Sequence, residues 1–276
     1  MRLGYSAITW GGVVGTAQGV GSVADLFYAT AGGRTVEAVA QIGSLGYRGL
    51  EVFDGDLLAF ERQPDVLLEA IAQAGVELVS VYTGANFIYP DIADDEFAKI
   101  TRAAQLARRF GASRLVLGGG ARRSGGVLEV DFAALARGLD RAARIAAAAG
   151  LEASYHPHLG TLVETEDALE RLFALTDIPF CPDTAHLAAG GADPAALVRR
   201  YGDRLSHVHL KDLDRATGSF LPLGDGDVDL AEVLRAVASA GYDRWLMVEL
   251  DSYPGDPGEA AQRSRRWLEA QGVWPG

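Results

Sequence analysis

The sequence of 276 residues is poor in cysteine and in lysine, and its charge is not positive. Cys181 is the single cysteine, so a disulfide framework is excluded and a buried, apolar thiol is expected. Lys99 and Lys211 are the only lysines, and arginine carries the remaining positive charge. The formal net charge of −12 leaves no surplus of positive charge for a polyanion, which argues against nucleic acid as a partner.

Long apolar runs are also missing. No stretch approaches the length of a membrane span, and the amino terminus has no charged-then-apolar leader. We find no internal repeat, low-complexity tract or linker, so residues 1–276 are expected to form a single domain. The sequence predicts a soluble, cytoplasmic protein without a membrane partner, and it leaves a homo-oligomer open.

Strand-like and helix-like segments alternate along the chain. Eight short apolar segments predict strands at residues 4–9, 48–53, 77–82, 114–120, 151–156, 178–183, 204–210 and 245–250. Helical periodicity separates them, and glycines such as Gly46, Gly111, Gly150 and Gly241 supply the stops. This alternation predicts the α/β class and a single closed (β/α)8 TIM barrel. An open doubly wound sheet is the alternative, but no glycine-rich phosphate fingerprint follows the first strand.

Polar side chains gather at the carboxyl ends of these predicted strands, where barrel enzymes place their catalytic groups. Crowded carboxylates and imidazoles in a barrel mouth favour a divalent cation among them. Mn²⁺ is the metal we expect, with Co²⁺, Zn²⁺ and Mg²⁺ as alternatives. The residues at these strand ends are Glu51, His156, His158, Asp183, His207, His209, Lys211 and Glu249.

Each of these residues also has a purely structural interpretation. A histidine at a strand end is often a hydrogen-bonded structural residue, and Asp183 is a candidate helix cap for the segment that follows it. Glu249 is free to pair with an arginine. The metal hypothesis depends on the joint pattern, since five of the eight predicted strand ends carry such groups.

Other residues near the strand ends allow two interpretations. Arg122 and Arg123, in a glycine-rich loop at residues 118–126, suit an anionic substrate group, although a surface loop is the simpler interpretation. Trp10, Phe53 and Tyr82 suit the walls of a sugar-binding site or the core. The segment LPLGDGDVDL predicts a turn over the barrel mouth followed by a helix that Asp229 caps.

The motifs DTAH at residues 183–186, HVH at 207–209 and the glutamate at 249 resemble the xylose isomerase-like barrel superfamily of sugar isomerases, epimerases and dehydratases. More narrowly, HPHLGTLVETEDALERL, PDTAHLAAGG and LGDGDVDL resemble the inosose dehydratase family. The resemblance covers the second half of the chain and is weak before residue 151.

This resemblance implies metal ligation by Asp183, His209 and Glu249, with His156 in the position where epimerases of the superfamily carry a glutamate. Whether His156 or His158 completes the ligand set stays open. The resemblance also implies substrate contact by His186 and Lys211. We assign catalytic roles to Glu51, His156, His186 and Lys211, and substrate binding to the residues His158, His207 and Trp10.

The function expected from this pattern is a metal-dependent carbon–oxygen lyase that dehydrates a cyclic keto-polyol, an inosose, through an enediolate. A metal-dependent isomerase or epimerase of a keto-sugar is the alternative. A sugar-binding barrel without catalysis is a third hypothesis, and an endonuclease is disfavoured by the acidic charge. The expected partner is a small polyol or sugar. The connection between Lys211 and Leu223 is shorter than in typical inosose dehydratases. The identity of the substrate therefore stays open.

Overall fold

The computed structural model describes residues 1–14, 22–84 and 86–273. Seven strands form its main sheet and are buried almost throughout, as expected for parallel strands covered on both faces. They are β1 to β7: Arg2–Ser6, Gly49–Phe53, Glu77–Gly84, Arg114–Gly118, Glu152–His156, Val208–Leu210 and Trp245–Val248. Two short antiparallel pairs lie outside this sheet: Val13–Val14 with Ala29–Thr30, and Asp212–Asp214 with Ser219–Leu221.

The sheet closes on itself. Its strands follow the order β5, β4, β3, β2, β1, β7, β6, and all neighbours are parallel. Phe180 fills the gap between the edge strands, with a parallel bridge to Tyr155 on one side and to Leu205 on the other. Asp183 forms a further bridge to His209. The predicted (β/α)8 barrel is therefore confirmed, and the open sheet is excluded.

The segment predicted as strand six makes single bridges and not a regular ladder, because two of its residues are prolines. Pro179 and Pro182 have no N–H to donate. Their carbonyls still accept, from Tyr155 N at 2.8 Å and from His209 N at 2.9 Å. These bonds hold the segment in the sixth position of the barrel and carry Asp183 to the mouth.

Ten α-helices in the described part of the chain surround the sheet. The helix Ala93–Arg109 carries three acidic residues in its first turn and arginines 108 and 109 in its last, which suits the helix dipole. No helix within the described residues is long and apolar enough to cross a membrane. The helices α1 to α10 are Thr35–Ser44, Asp54–Ala59, Pro64–Ala74, Ala93–Arg109, Glu129–Ala148, Glu166–Phe173, Thr184–Ala189, Pro194–Arg200, Leu230–Ser239 and Pro257–Ala270.

The first strand is shorter than predicted. It ends at Ser6, and Ala7–Trp10 forms a 3-10 turn. Thr9 donates a hydrogen bond of 2.6 Å to the carbonyl of Leu250, which fixes this turn against the end of β7. The prediction also missed α2, because six residues are too few to show helical periodicity.

The loop after β6 is organised by Asp212, which is buried. Its carboxylate accepts four backbone N–H groups, from the residues Leu213, Gly224, Gly226 and Val228, at 2.9 to 3.1 Å. A Cβ at position 226 would lie 2.5 Å from Oδ1 of Asp212, so this site requires glycine. Asp229 then caps α9 by accepting from Glu232 N, as predicted. The predicted position of this turn over the mouth stays a prediction.

We expect Asp212→Ala to destabilise the fold by about 3 kcal/mol, because four buried N–H groups lose a charged acceptor. The measurement is the free energy of unfolding in urea. Asp214→Ala is the matched control, since the Asp214 carboxylate also accepts backbone N–H groups but in an exposed turn. Equal losses of unfolding free energy in the two variants would show that burial of the Asp212 carboxylate is not the cause.

Candidate functional site

A cavity of about 430 Å³ opens at the carboxyl ends of the barrel strands. One wall is aromatic, with ring centroids 6.4 Å apart for Tyr28 and Phe53 and 5.5 Å apart for Phe53 and Tyr82. The Tyr82 ring packs over Gly118, where a Cβ would lie 1.7 Å from the phenol oxygen. The glycine at the end of β4 therefore makes room for this wall. The cavity is also bordered by Glu51, His158, Glu249 and Asp251.

Four buried side chains bring metal-ligand atoms together at the base of this cavity. One ligand atom from each of them lies within 4.8 Å of all the others. The four residues come from the ends of β5 and β7, from the N-cap of α7 and from its first turn: His156, Glu249, Asp183 and His186. His158 is not in the cluster, so the geometry places His156 where a ligand from strand five was expected.

Asp183 uses its two carboxylate oxygens for different purposes. Oδ1 caps α7 and accepts from Ala185 N at 2.9 Å and His186 N at 2.8 Å. Oδ2 has no hydrogen-bond partner among the described residues, although it is fully buried and lies 3.6 Å from Nε2 of His156. The helix cap and the ligand role are therefore compatible, because the cap orients Oδ2 toward the cluster.

Unpartnered buried atoms are the strongest indication of what this site holds. Both ring nitrogens of His156, Oδ2 of Asp183 and Nδ1 of His209 have no hydrogen-bond partner in the part of the chain that the structure describes. A buried polar group without a partner costs about 1–3 kcal/mol. A divalent cation would satisfy these atoms together, and mixed imidazole and carboxylate donors suit Zn²⁺, Co²⁺ or Mn²⁺. The residues present therefore fit a metal.

His209, on β6, is not one of the four residues of the cluster but lies between Glu249 and Glu51. Its Nδ1 lies 2.8 Å from Oε2 of Glu249, and its Nε2 lies 3.1 Å from the carboxylate of Glu51. Burial alone would raise the pKa of Glu51, but the imidazoles of His209 and His207 hold it below its ordinary value. Glu51 is therefore an anion beneath the cluster.

Lys211 crosses the same region with its ammonium fully buried. Nζ lies 2.5 Å from Oε1 of Glu249, 2.6 Å from Oδ1 of Asp251 and 3.3 Å from Oδ2 of Asp183. Burial opposes the charge on Lys211, but these carboxylates raise its pKa well above the ordinary value. Glu249 therefore pairs with a lysine and a histidine, and not with an arginine.

Asp251 is a cavity residue that the sequence pattern did not reveal. It borders the cavity, and burial raises the pKa of its carboxyl, an effect that Lys211 opposes. The sequence did contain a pattern that could have placed Asp251 in the cavity, because side chains two residues apart on an extended segment face the same side. Glu249 and Asp251 have this spacing, but the predicted strand ended at Leu250.

His158 and His186 lie against each other with ring centroids 3.8 Å apart. Nδ1 of His158 lies 2.7 Å from the carbonyl oxygen of Leu159, so Nδ1 carries the hydrogen and Nε2 has the free lone pair. Burial lowers the pKa of His158, and the neighbouring His156 and Lys211 lower it further, although the hydrogen bond to Leu159 opposes them. His158 is therefore a neutral imidazole on the cavity wall.

Two residues assigned to substrate binding lie elsewhere. The Trp10 indole donates to Oε1 of Gln41 at 2.7 Å and packs on Tyr5, and Trp10 is not among the cavity-lining residues. His207 lies deeper in the barrel, with Nε2 3.2 Å from Glu51. These contacts favour a core role for Trp10, whose N–H is used internally, and a supporting role at Glu51 for His207. A substrate contact by either residue stays a prediction.

The two loop arginines have internal partners. Arg123 donates to Asp131 at 2.9 Å and Arg122 pairs with Glu164 at 3.3 Å. These ion pairs favour the structural interpretation of the loop over a site for an anionic substrate group. Phe53 and Tyr82, by contrast, line the cavity as suggested.

A second buried polar group supports the aromatic wall. Asp54 accepts from Thr83 Oγ1 at 2.6 Å and from Tyr28 N at 2.9 Å, and so holds the Tyr28 segment over the mouth. Burial raises the pKa of Asp54 to about 6, although the Lys99 ammonium and these hydrogen bonds lower it. Lys99 donates to the carbonyl of Gly84, a further cavity-lining residue.

We expect the Asp54 carboxyl to titrate near pH 6 and Lys99→Met to move its midpoint higher, because the nearby ammonium favours the anion. Since the folded pKa exceeds the ordinary 3.8, the folded chain binds this proton more tightly. The resulting stabilisation is full below about pH 4 and is lost as the pH rises through 6. Carboxyl ¹³C NMR measures the midpoint, and a midpoint near 4 in the unsubstituted chain would show that burial does not dominate the pKa of Asp54.

The closed barrel and the polar cluster at its mouth place the chain in a known class. A family model described as the xylose isomerase-like TIM barrel matches residues 37–271, and the chain belongs to this family.

Within the family the chain is similar to inosose dehydratases. The enzyme of Geobacillus kaustophilus is 30% identical over 251 residues, covering 79% of this chain and 80% of that enzyme. The inosose dehydratase of Lacticaseibacillus casei is 26% identical over 268 residues, covering 85% of this chain and 88% of that enzyme. These similarities support an enzyme of the sugar-modifying barrels.

Two solved structures show the same fold at low identity. The IolI protein, solved with a bound zinc atom, has a TM-score of 0.77 at 15% identity and covers 100% of both chains. The probable 3-DHS dehydratase AsbF of Bacillus anthracis has a TM-score of 0.77 at 15% identity, covering 98% of this chain and 99% of that one.

Proposed function

We propose that this chain is a metal-dependent carbon–oxygen lyase that dehydrates a cyclic keto-polyol of the inosose type. The observation that carries the proposal is the group of unpartnered buried donor atoms at the base of a cavity with an aromatic wall. The similarity to inosose dehydratases over most of both chains supports the choice of substrate.

We assign the metal to His156, Asp183 and Glu249 of the cluster and to His209, whose Nδ1 lies 2.8 Å from Oε2 of Glu249. His186, the fourth member of the cluster, has its Nε2 3.2 Å from Lys211 Nζ and is assigned a hydrogen-bonding role beside the metal. A bound divalent cation supplies Lewis acidity toward a ketone oxygen. Zn²⁺ and Co²⁺ join Mn²⁺ as candidates, since two of the four donors are imidazoles.

His158 is the residue we assign to proton transfer. Its Nε2 lone pair is free because Nδ1–H is directed at Leu159 O, and the ring borders the cavity. The imidazole would take the proton next to the carbonyl and return it to the departing β-hydroxyl on the same face. This transfer is balanced, because the hydroxyl and the proton leave together as water. General acid–base catalysis of this kind contributes about 10²- to 10⁴-fold.

One base on one face favours elimination over epimerisation. Epimerisation through two bases needs a second acid on the opposite face, which the strand-five glutamate would supply. Here His156 takes that position and lies in the donor cluster. The isomerase or epimerase alternative therefore lacks the second acid or base that the strand-five glutamate would supply.

An uncharged substrate suits the charge of the cavity. Among the described residues that line it, three are carboxylates and none is arginine or lysine: Glu51, Glu249 and Asp251. Lys211 is close by, but its ammonium is already surrounded by carboxylates. A phosphate or carboxylate on the substrate would meet repulsion, whereas the C–H face of a polyol ring can pack against Tyr82 and Phe53.

We expect purified, metal-loaded protein to convert 2-keto-myo-inositol to a 2-hydroxy-enone, the enol form of a ring 1,2-dione, with release of one water. His158→Gln should reduce turnover by about 10²-fold or more without loss of metal. The measurements are ultraviolet absorbance of the product and elemental analysis. Incorporation of deuterium from solvent without loss of water would favour the epimerase alternative, and tight binding without turnover would favour a sugar-binding barrel.

We expect Asp183→Asn to weaken metal binding by about 100-fold or more while leaving the fold intact. The amide oxygen of asparagine can still cap α7, but the anionic oxygen that faces the cluster is lost. Metal affinity by chelator competition and thermal melting separate these two effects.

Asp193→Asn is the matched control. Asp193 caps α8 by the same geometry, with Oδ1 accepting from Ala195 N at 2.9 Å and Ala196 N at 3.2 Å, and it is not a member of the donor cluster. We expect this variant to bind metal normally. Equal metal affinity in both variants would contradict the ligand role of Asp183.

A further inference from the structure

The two ring nitrogens of His209 have opposed surroundings. Nε2 lies 3.1 Å from the carboxylate of Glu51 in hydrogen-bond geometry. Nδ1 lies 2.8 Å from Oε2 of Glu249 but forms no hydrogen bond with it. Because an ionised carboxylate only accepts, the hydrogen on Nε2 is directed at Glu51. Nδ1 is then the nitrogen available to a cation that Glu249 also contacts.

Glu51 is itself held in place. Ser80 Oγ donates to its Oε2 at 2.6 Å, and Nε2 of His207 lies 3.2 Å from the same oxygen. With His209, three side chains direct donors at one carboxylate that is only 1% exposed. A carboxylate occupied in this way is poorly placed to take a proton from a substrate. It is well placed to fix the ring of His209.

We propose that Glu51 is a positioning residue that acts through His209, and not the general acid or base expected from the sequence. Its carboxylate keeps the hydrogen of His209 on Nε2 and sets the ring orientation, so that the Nδ1 lone pair faces the donor cluster. Outer carboxylates that accept from a metal-bound histidine typically contribute about 10- to 100-fold to metal affinity. The inference rests on the metal centre of the proposed function.

A second metal held by Glu51, His207 and His209 is the competing interpretation, since their ligand atoms also lie within 4.8 Å of one another. Their polar atoms are directed at each other, however, at 3.1 to 3.2 Å. Distances of this size also separate two ligands of one ion, so the distances alone do not decide. The hydrogen-bond geometry favours direct contact, because the ring N–H of His209 is directed at the carboxylate of Glu51 and the Ser80 hydroxyl donates to the same carboxylate. Mutual hydrogen bonding therefore accounts for this group without an ion.

Glu51→Gln tests the positioning role, with Zn²⁺ affinity measured by chelator competition and site geometry by the visible spectrum of Co²⁺-loaded protein. We expect about 10- to 100-fold weaker zinc binding and a changed cobalt spectrum. The physical reason is that glutamine can donate to Nε2 and so stabilise the tautomer whose hydrogen is on Nδ1.

Asp251→Asn is the matched control for charge. It removes one carboxylate from the same cavity, but its ion pair is with Lys211 and not with His209. We expect a smaller loss of zinc affinity and an unchanged cobalt spectrum. Equal affinities and equal spectra in the two variants would overturn the inference, because the effect would then be one of charge alone.

NMR shows directly which nitrogen of His209 carries the hydrogen. The signal to follow is that of Nε2–H in zinc-loaded, ¹⁵N-histidine-labelled protein. We expect a protected signal in the unsubstituted chain and its loss or displacement in Glu51→Gln. If that variant does not fold, Ser80→Ala serves instead, since it removes the donor that orients Glu51 and keeps the charge. Unchanged zinc affinity and cobalt spectrum in Ser80→Ala would then overturn the inference.

The two proposals fail in different ways. A chain that binds no divalent metal overturns the proposed function together with this inference. A chain that binds zinc with the same affinity and spectrum, whatever stands at position 51, overturns the positioning role of Glu51 alone.

Discussion

Mutual compensation among buried charges at the barrel mouth is the constraint on which the rest of the structure depends. Glu51, Asp183 and Glu249 lie in the protein interior, and the ammonium of Lys211 lies among carboxylates. Removing a charge from water costs several kcal/mol unless opposite charges and hydrogen bonds replace the water. The fold meets this requirement because it closes, so that parallel strands deliver these groups to one place.

Several of these residues use their two polar atoms differently, and this division builds the site. One oxygen of Asp183 caps a helix and the other faces the cluster. One nitrogen of His209 faces Glu51 and the other faces Glu249. In each case a structural bond fixes the direction of the free atom. Preorganisation of this kind reduces the reorganisation needed when a ligand binds.

The parts of the site that could be predicted from the sequence are those that periodicity and spacing define. Asp183, His209 and Glu249 follow apolar strands in a superfamily pattern, so their convergence was expected. The structure groups Asp183 with Glu249 and places His209 beside Glu249. Ser80 and Asp251 were missed for different reasons. Ser80 lies inside an apolar strand, where a serine gives no signal of its partners, and Asp251 lies one residue beyond the predicted strand.

The fold was predictable for a general physical reason. Alternating strands and helices in one chain favour a parallel sheet with helices outside, and eight such units suffice to close it. The irregular strand six is an instructive exception. Pro179 and Pro182 prevent a regular ladder, yet their carbonyl bonds keep the segment in place, and that outcome depends on neighbours distant in sequence.

The sequence by itself determined the class of fold and the set of polar residues at the strand ends, because local periodicity decides which side chains follow each strand. Only the tertiary structure decided which of those residues meet. It placed His156 in the cluster and His158 on the cavity wall, and it moved Trp10 into the core. The physical reason is that direction, burial and hydrogen-bond partners are set by contacts between distant segments, which no local pattern encodes.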